Sequence, residues 1–342
     1  MAEGPTLGDL GEWELIRRLG AFAPPGQFAD DAALVPAPGP GATDLVINTD
    51  VLVDGLHFSE ATTGAKDVGW RAAVANLSDL AAMGCTEVVG LTVGLVAPAT
   101  TPWGWVEGVY GGLAEALATY GGVLLGGDCS GGTQRLLAIT ALGRLGALPQ
   151  GGGTGRPAGP IRRGDGRPGD LLVSSGPHGL SRLGLALLRD PAGTLATHLD
   201  RTLGERALQA HRRPRARLDA VHTLMASQPA RTPWRGGGCD SSDGLAAAVA
   251  AVAAASGCGA RLSRAALPLD PAMAPLAEAE AWCLGGGEDF ELVLALDPAW
   301  ARALVGALPG GAVIGALVEG SMGGLRWSDG DAIAVSGYRH FG

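Results

Sequence analysis

Six aspartates in this chain follow apolar or glycine-rich segments, and together they could form one metal site. Carboxylate oxygens are hard ligands that suit Mg²⁺, which commonly completes its coordination with the phosphates of a substrate. Several such ions around one triphosphate would neutralise its charge and align donor and acceptor, and this chemistry needs no covalent nucleophile. The sequence therefore indicates Mg²⁺-dependent phosphoryl transfer. The six residues are Asp31, Asp50, Asp79, Asp128, Asp240 and Asp243.

Asp79 could be a buried metal ligand or a solvated surface residue. It lies in the segment NLSDLAAMG at 76–84, where apolar residues recur at helical spacing and Gly84 is placed to end the helix. A carboxylate among buried apolar residues is unfavourable unless a cation meets it, and the nearest basic residue, Arg71, is about two helical turns away. The alternative is a solvated aspartate on the exposed face of a helix that Asp67 caps.

The other acids follow predicted strands or lie in predicted loops. Asp31 is in a Pro/Gly-rich loop, where adjacent acids are either solvated or clamp a metal. One predicted strand leads into NTD at 48–50 and another into GGD at 126–128; strand ends commonly face a ligand, and paired glycines let the backbone approach phosphate oxygens. In the DSSDG motif, Ser242 or Asp243 could be a helix N-cap, but a cap alone does not explain two aspartates and a glycine.

Further residues could bind an organic phosphate. His57 lies beside an aromatic residue in a predicted loop, where a histidine is either exposed or positions such a ligand. Tyr110 lies on a helix that Pro102 opens, and it either packs in the core or contacts a nucleotide. Arg162 and Arg163 are either solvated linker residues or part of a phosphate clamp.

Composition narrows the possible functions. The net charge of -9 argues against a nucleic-acid-binding surface, and the longest run of small apolar residues, at 246–255, is too short to span a membrane. The only lysine is Lys66, so any ATP would be bound without a Walker A loop. The five cysteines lack C-x-x-C spacing, so neither a zinc site nor a disulfide framework is indicated. Glu3 and Asp9 lie in the N-terminal segment, where a signal peptide would have basic residues followed by an apolar run, so no signal peptide is predicted. We therefore expect a cytoplasmic protein that binds neither nucleic acid nor membranes.

The order of predicted elements favours an α/β fold of two domains. Strands and helices alternate in both halves, and a chain of 342 residues that is 46% hydrophobic can bury two cores. A segment rich in Gly, Pro and Arg at 146–170 separates the halves, so we place the domains at 1–148 and 149–342. Strands are predicted at 88–96, 136–145, 292–296 and 312–318.

Five motifs resemble those of thiamine-monophosphate kinases, in the same order and over almost the whole chain. They are NTDVLVDGLHF at 48–58, NLSDLAAMG at 76–84, GGD at 126–128, DSSDGL at 240–245 and GGEDFEL at 286–292. The resemblance implies an α/β (α+β) fold like that of aminoimidazole ribonucleotide synthetase, with a mixed N-terminal sheet that dimerises and a C-terminal α/β domain. It also implies direct, in-line, Mg²⁺-assisted phosphorylation of thiamine monophosphate by ATP, the last step of thiamine diphosphate biosynthesis.

The resemblance further implies a role for each matched residue. The catalytic residues would be Asp31, Asp50, Asp79, Asp128 and Asp240, and the Mg²⁺ ligands would be these five together with Asn48, Thr49 and Asp243. ATP would contact Tyr110, Gly127, Asp128, Arg163 and Ser242, while thiamine monophosphate would contact His57, Glu288 and Tyr338. Asn48 stands where serine is commoner in the family, and its side-chain carbonyl can still bind a metal.

The same residues leave other functions open. Aminoimidazole ribonucleotide synthetase, selenophosphate synthetase and the hydrogenase-maturation dehydratase share parts of the pattern. The selenium enzyme would need a reactive cysteine in an N-terminal loop and the maturation protein a C-terminal cysteine, whereas the first cysteine here is Cys85 and the chain ends in HFG. The acids could also serve a metal-dependent phosphohydrolase, or a metal-stabilised protein that binds ligands without turnover.

Overall fold

The computed structural model describes residues 5–37, 39, 43–150, 153–320 and 322–335 of the chain. The helices are α1 (Leu7–Leu19), α2 (Ala65–Ala82), α3 (Trp103–Tyr120), α4 (Leu180–Arg189), α5 (Thr194–His198), α6 (Arg201–Arg212), α7 (Leu218–Ala226), α8 (Leu245–Ala255), α9 (Ala279–Gly285) and α10 (Pro298–Ala307). The strands are β1 (Ala33–Val35), β2 (Leu45–Val53), β3 (Cys85–Ala97), β4 (Val123–Gly131), β5 (Leu136–Leu145), β6 (Ala147–Gln150), β7 (Gly153–Pro157), β8 (Leu171–Ser174), β9 (Gly236–Asp240), β10 (Gly259–Leu262), β11 (Leu292–Leu296), β12 (Ala312–Val318) and β13 (Leu325–Trp327).

The N-terminal half is built on a mixed sheet in the order β1-β2-β5-β3-β4. β3 and β4 run parallel, whereas the other neighbouring strands run antiparallel. The helices α2 and α3 cross so closely that a Cβ on Gly112 would lie 1.9 Å from the Lys66 carbonyl oxygen, so only glycine fits there. The predicted mixed N-terminal sheet is confirmed.

The C-terminal half contains a second mixed sheet, in the order β13-β10-β12-β8-β11-β9. β10 and β13 run parallel, and the other neighbours are antiparallel. β9 and β11 are buried at every residue because helices cover the sheet. In the described part of the chain, no helix has both the length and the apolar character that crossing a membrane requires.

The helix α2 lies where the two halves meet. Its buried residues Val68, Leu77 and Leu80 belong to a core that also includes Val173 and Leu292 from the second sheet. Because α2 is buried on several sides, its apolar residues are not confined to a single face of the helix. Polar side chains on α2 are therefore held at fixed positions between the two sheets.

Several predicted elements have the bounds that the structure gives. The strands at 136–145, 292–296 and 312–318 match β5, β11 and β12, and the strand at 88–96 lies within β3. Gly84 follows the end of α2 with φ of 90°, a left-handed conformation that favours glycine.

Some local predictions are wrong. The NTD and GGD segments lie inside β2 and β4 instead of following them. Gly64 precedes α2 as its N-cap, so Asp67 does not cap the helix and instead pairs with Arg213 from its first turn. Gly244, with φ of 111°, precedes α8, so neither serine nor aspartate of the DSSDG motif is the cap. Pro102 is the N-cap of α3 and not its first helical residue.

Candidate functional site

Three aspartates from separate elements converge at one place. Asp31 lies in the loop before β1, Asp79 lies on α2 and Asp240 ends β9; one carboxylate oxygen of each lies within 4.8 Å of the others. Burial raises the pKa of Asp31 to about 7 despite the opposing charge of Arg163. Burial also raises the pKa of Asp79 well above its ordinary value, and the charges of Asp50, Asp240 and Asp31 add to this. Acids this close repel one another strongly unless a cation lies among them.

Asp50 belongs to the same cluster. Burial raises its pKa to about 6, and the negative charges of Asp240 and Asp243 contribute to the rise. Its backbone N–H donates to Asn76 Oδ1 at 3.1 Å, which fixes this part of β2 against α2. The structure thus brings five of the six predicted aspartates within electrostatic reach of one another.

Asn48 shows that the cluster suits a hard cation. Its Nδ2 donates to Asp79 Oδ2 at 2.6 Å and to Asn76 Oδ1 at 3.2 Å. Its Oδ1 is buried, and no donor among the described residues reaches it. A buried amide oxygen left without a partner is unfavourable, and such an oxygen is an ordinary ligand for a divalent cation. Several carboxylates and one amide oxygen therefore form a donor set that fits Mg²⁺.

Two serines fix the orientation of Asp240. The hydroxyl of Ser78, on α2, donates to Asp240 Oδ2 at 2.7 Å, and the hydroxyl of Ser242 donates to Asp240 Oδ1 at 2.9 Å. Since each carboxylate oxygen accepts one of these bonds, the carboxylate cannot rotate freely. This is the outer support that ligands of a metal commonly need.

The predicted linker arginines are not free in solvent. Arg163 pairs with Asp31, and its backbone N–H donates to Asp30 Oδ1 at 2.9 Å. Arg162 Nη1 donates to Asp30 Oδ2 at 2.9 Å. Arg163 therefore contacts the carboxylate cluster through Asp31, whereas Arg162 pairs with the preceding residue, Asp30.

Three residues predicted to bind the nucleotide lie on the far edge of the N-terminal sheet. Gly127 and Asp128 are on β4, which two strands separate from β2, a distance of about 14 Å at ~4.8 Å per strand. Tyr110, on α3, lies close to Cys129; burial raises the pKa of its hydroxyl, and repulsion by a Cys129 thiolate adds to the rise. A Cβ on Gly127 would lie 2.0 Å from the Val93 carbonyl oxygen, so this position requires glycine.

Another predicted Mg²⁺ ligand, Thr49, is not part of the carboxylate cluster. The Thr49 hydroxyl lies 2.8 Å from the Thr140 hydroxyl on β5, on the face of β2 opposite to Asp50. Tyr338 lies outside the described residues, so its contact with the acceptor stays a prediction.

The two remaining residues predicted to contact the acceptor, Glu288 and His57, lie within electrostatic reach of each other. Glu288 has a left-handed backbone, with φ of 58°, and its N–H donates to the Ser242 carbonyl oxygen at 2.7 Å. Its carboxylate pairs with Arg71, and its Oε2 lies 3.6 Å from His211 Nδ1. Burial alone would raise the pKa of Glu288, but the charge of Arg71 is the largest of the effects that outweigh burial and lower it. Glu288 is therefore ionised at neutral pH.

Both halves of the chain match one pair of family models. The AIR synthase related protein N-terminal domain matches residues 29–145, and the AIR synthase related protein C-terminal domain matches residues 167–328. The thiamine-monophosphate kinase of Prochlorococcus marinus is 45% identical over 327 residues, which cover 96% of this chain and 94% of that protein. The thiamine-monophosphate kinase of Synechococcus elongatus is 44% identical over 339 residues, covering 98% of each. This chain belongs to the thiamine-monophosphate kinase family.

A solved structure extends this agreement to the fold. AaThiL complexed with AMPPCP and TMP matches with a TM-score of 0.81 and 26% identity, over 99% of this chain and 100% of that one. The resemblance inferred from the five motifs and the fold class it implied are both confirmed.

Sequence reasoning missed four residues that support the site. Asn76 and Ser78 orient the acids from α2, while Arg71 and His211 hold Glu288. One signal was available: Arg71 is a charged residue within an apolar helical segment, so it needs a buried partner for the same reason as Asp79. The two small polar residues gave no such signal, because they are equally common on exposed helix faces.

Proposed function

We propose that this member of the thiamine-monophosphate kinase family transfers the γ-phosphoryl group of ATP to the phosphate of thiamine monophosphate, giving ADP and thiamine diphosphate. The observation that carries the proposal is the convergence of Asp31, Asp79 and Asp240. Arg163 pairs with Asp31, and the turn containing Glu288 is hydrogen-bonded to the loop that follows Asp240. The curated relatives bear the name of this activity, and AaThiL was solved with AMPPCP and TMP bound.

Mg²⁺ is the cofactor that we propose for the carboxylate cluster. The chain would hold it through Asp31, Asp50, Asp79, Asp240 and Asp243, with the free carbonyl oxygen of Asn48 as a further ligand. Bound there, Mg²⁺ would supply positive charge to the phosphate oxygens as negative charge is redistributed during transfer. The serines and asparagines around the acids keep the ligands oriented before the substrates arrive.

Arg163 and Ser242 are the residues next to the cluster that we assign to ATP. The side chain of Arg163 pairs with Asp31 and is 27% exposed, so the accessible part of its guanidinium can contact a phosphate. The hydroxyl of Ser242 and the N–H groups of its loop lie beside Asp240. We assign the contacts with thiamine monophosphate, the acceptor, to His57, Glu288 and Tyr338.

We also propose that the protein acts as a homodimer. β4 is an edge strand that is exposed along its whole length, including Val123, Leu124 and Leu125. An exposed apolar edge strand invites pairing with another chain. Three of the predicted nucleotide-binding residues lie at this edge, away from the carboxylate cluster: Tyr110, Gly127 and Asp128. If a second copy packs against β4, these residues could contribute to an active site formed by both copies.

A cytoplasmic location is the further part of this proposal. All five cysteines are free thiols in the structure, which suits a reducing compartment. The substrates ATP and thiamine monophosphate are both anionic metabolites that such a compartment supplies.

Product analysis tests the proposed function. The purified protein is mixed with ATP, thiamine monophosphate and Mg²⁺, and each component is omitted in turn. We expect one ADP for each thiamine diphosphate, formed only in the complete mixture. Phosphate release without ATP would instead indicate a hydrolase, and ADP formation without thiamine diphosphate would indicate a different acceptor.

A further inference from the structure

Arg71 is a buried charge at the boundary between the two halves of the molecule. Its side chain is 3% exposed and lies on α2, among apolar residues of the main core. Its Nη2 donates to Glu288 Oε1 and its Nη1 donates to the His211 carbonyl oxygen. Because a buried guanidinium is tolerated only with acceptors in place, these two contacts fix its position.

Glu288 is held from two directions. Its backbone, left-handed at φ of 58°, follows Gly287 at φ of 68° and is tied to the Ser242 carbonyl oxygen. A non-glycine residue keeps this conformation only when its surroundings enforce it. The backbone hydrogen bond joins Glu288 to the loop beside Asp240. The ion pair of its side chain joins it to Arg71 on α2.

The two carboxylate oxygens of Glu288 have different surroundings. Oε1 is occupied by Arg71, whereas Oε2 lies 3.6 Å from His211 Nδ1. Burial lowers the pKa of His211 to about 4, with the charge of Arg71 adding to the effect, so this imidazole is neutral at pH 7. The His211 Nδ1 is also 3.2 Å from the hydroxyl of Ser181. With its side chain 34% exposed, Glu288 can therefore present Oε2 to a ligand while Oε1 stays paired.

We propose that Arg71 is a positioning residue for the acceptor: it holds Glu288 so that the second carboxylate oxygen faces the cationic part of the acceptor. This inference rests on the proposed function and on the assignment of Glu288 to the acceptor. Thiamine monophosphate carries a thiazolium cation and an aminopyrimidine, and both are groups that a fixed carboxylate oxygen attracts. Arg71 thereby favours acceptors that carry a cationic heterocycle, although it does not contact them itself.

A second ion pair provides a matched control. Arg213, at the end of α6, pairs with Asp67 on α2 and lies over the ring of Trp70. It therefore links the same helix to the same part of the C-terminal half, but it has no contact with Glu288 among those that the structure describes. Removing Arg213 tests the effect of loosening this junction without altering Glu288.

Steady-state kinetics of five variants test the inference. The variants are Arg71→Met, Arg71→Lys, Glu288→Gln, the double variant Arg71→Met with Glu288→Gln, and Arg213→Met. For Arg71→Met we expect the KM for thiamine monophosphate to rise about 10- to 100-fold, while the KM for ATP changes less than about threefold. Arg71→Lys should recover part of the loss, and Arg213→Met should leave both KM values near those of the wild type.

The double variant separates positioning from general damage. If Arg71 acts through Glu288, the double variant should have the same acceptor KM as Glu288→Gln alone, because the interaction is already gone. It also removes the carboxylate that Arg71→Met leaves unpaired, so the effect of Arg71 can still be measured if Arg71→Met alone does not fold. Equal rises of both KM values in Arg71→Met, or additive effects in the double variant, would overturn the inference. A wild-type protein that forms no thiamine diphosphate would instead overturn the proposed function.

Discussion

Replacing Asp50 by asparagine should make the metal-free protein more stable while it abolishes activity. In the folded protein, burial and the charges of Asp240 and Asp243 raise the pKa of Asp50 to about 6 from its ordinary value of 3.8. A change of one in the pKa corresponds to about 1.4 kcal/mol. The ionised carboxylate therefore destabilises the folded state by about 3 kcal/mol at high pH. Asparagine keeps the shape of the side chain and removes this charge.

The sign of the effect depends on pH. Below pH ~4 Asp50 is protonated in both the folded and the unfolded protein, so the substitution should change the free energy of unfolding little. As pH rises, the unfolded chain loses this proton first, and the penalty on the folded state grows until pH passes about 6. The gain for Asp50→Asn should therefore be full at pH 8 and should shrink as the pH is lowered.

Denaturant unfolding in EDTA measures this effect. We expect Asp50→Asn to raise the free energy of unfolding by about 2 to 3 kcal/mol at pH 8, with Mg²⁺ stabilising the wild type more than the variant. Glu107→Gln, which removes an exposed carboxylate of α3, is the control and should have little effect. A metal-free Asp50→Asn protein that is less stable than the wild type at pH 8 would refute this electrostatic reasoning.

Three further substitutions test other parts of the structure. Glu288→Gln should raise the KM for thiamine monophosphate more than the KM for ATP, measured by initial rates, and the opposite order would contradict its assignment to the acceptor. Arg217→Met breaks a buried ion pair with Glu291 and should lower the free energy of unfolding by about 3 to 5 kcal/mol, whereas an unchanged midpoint in guanidinium would show that the pair is unimportant. Gly112→Ala places a Cβ 1.9 Å from the Lys66 carbonyl oxygen, so it should destabilise the protein by at least about 2 kcal/mol; wild-type stability in the same assay would mean that α2 and α3 can separate freely.

Sequence patterns predicted the strands in which apolar residues continue from one end to the other. β5, β11 and β12 have the predicted bounds because apolar residues run through each strand and turn residues flank it. β2 was harder, since its central residues are polar on both faces. Asn48 and Asp50 face the site on one side, and Thr49 meets Thr140 on the other, so the apolar pattern stops while the strand continues.

The site was predictable in its residue types and less so in its geometry. Asp31, Asp79 and Asp240 were grouped from the sequence because they lie beside apolar or glycine-rich segments, and their carboxylates lie close together in the structure; that they share a cation stays a prediction. The pairing of Arg71 with Glu288 joins residues 217 positions apart, and no local pattern encodes such a contact. The distance between β4 and the carboxylate cluster depends on the order of strands in the sheet. That order differs from the order along the chain, so local sequence patterns did not predict it.

Transfer of a labelled γ-phosphoryl group tests the central claim most directly. The protein is incubated with ATP labelled in its γ-phosphate, thiamine monophosphate and Mg²⁺, and the thiamine products are separated and counted. Direct transfer to a phosphate acceptor predicts that the label appears in the terminal phosphate of thiamine diphosphate, in equal amount to the ADP formed. Label found only in inorganic phosphate, with thiamine monophosphate unchanged, would contradict the kinase mechanism.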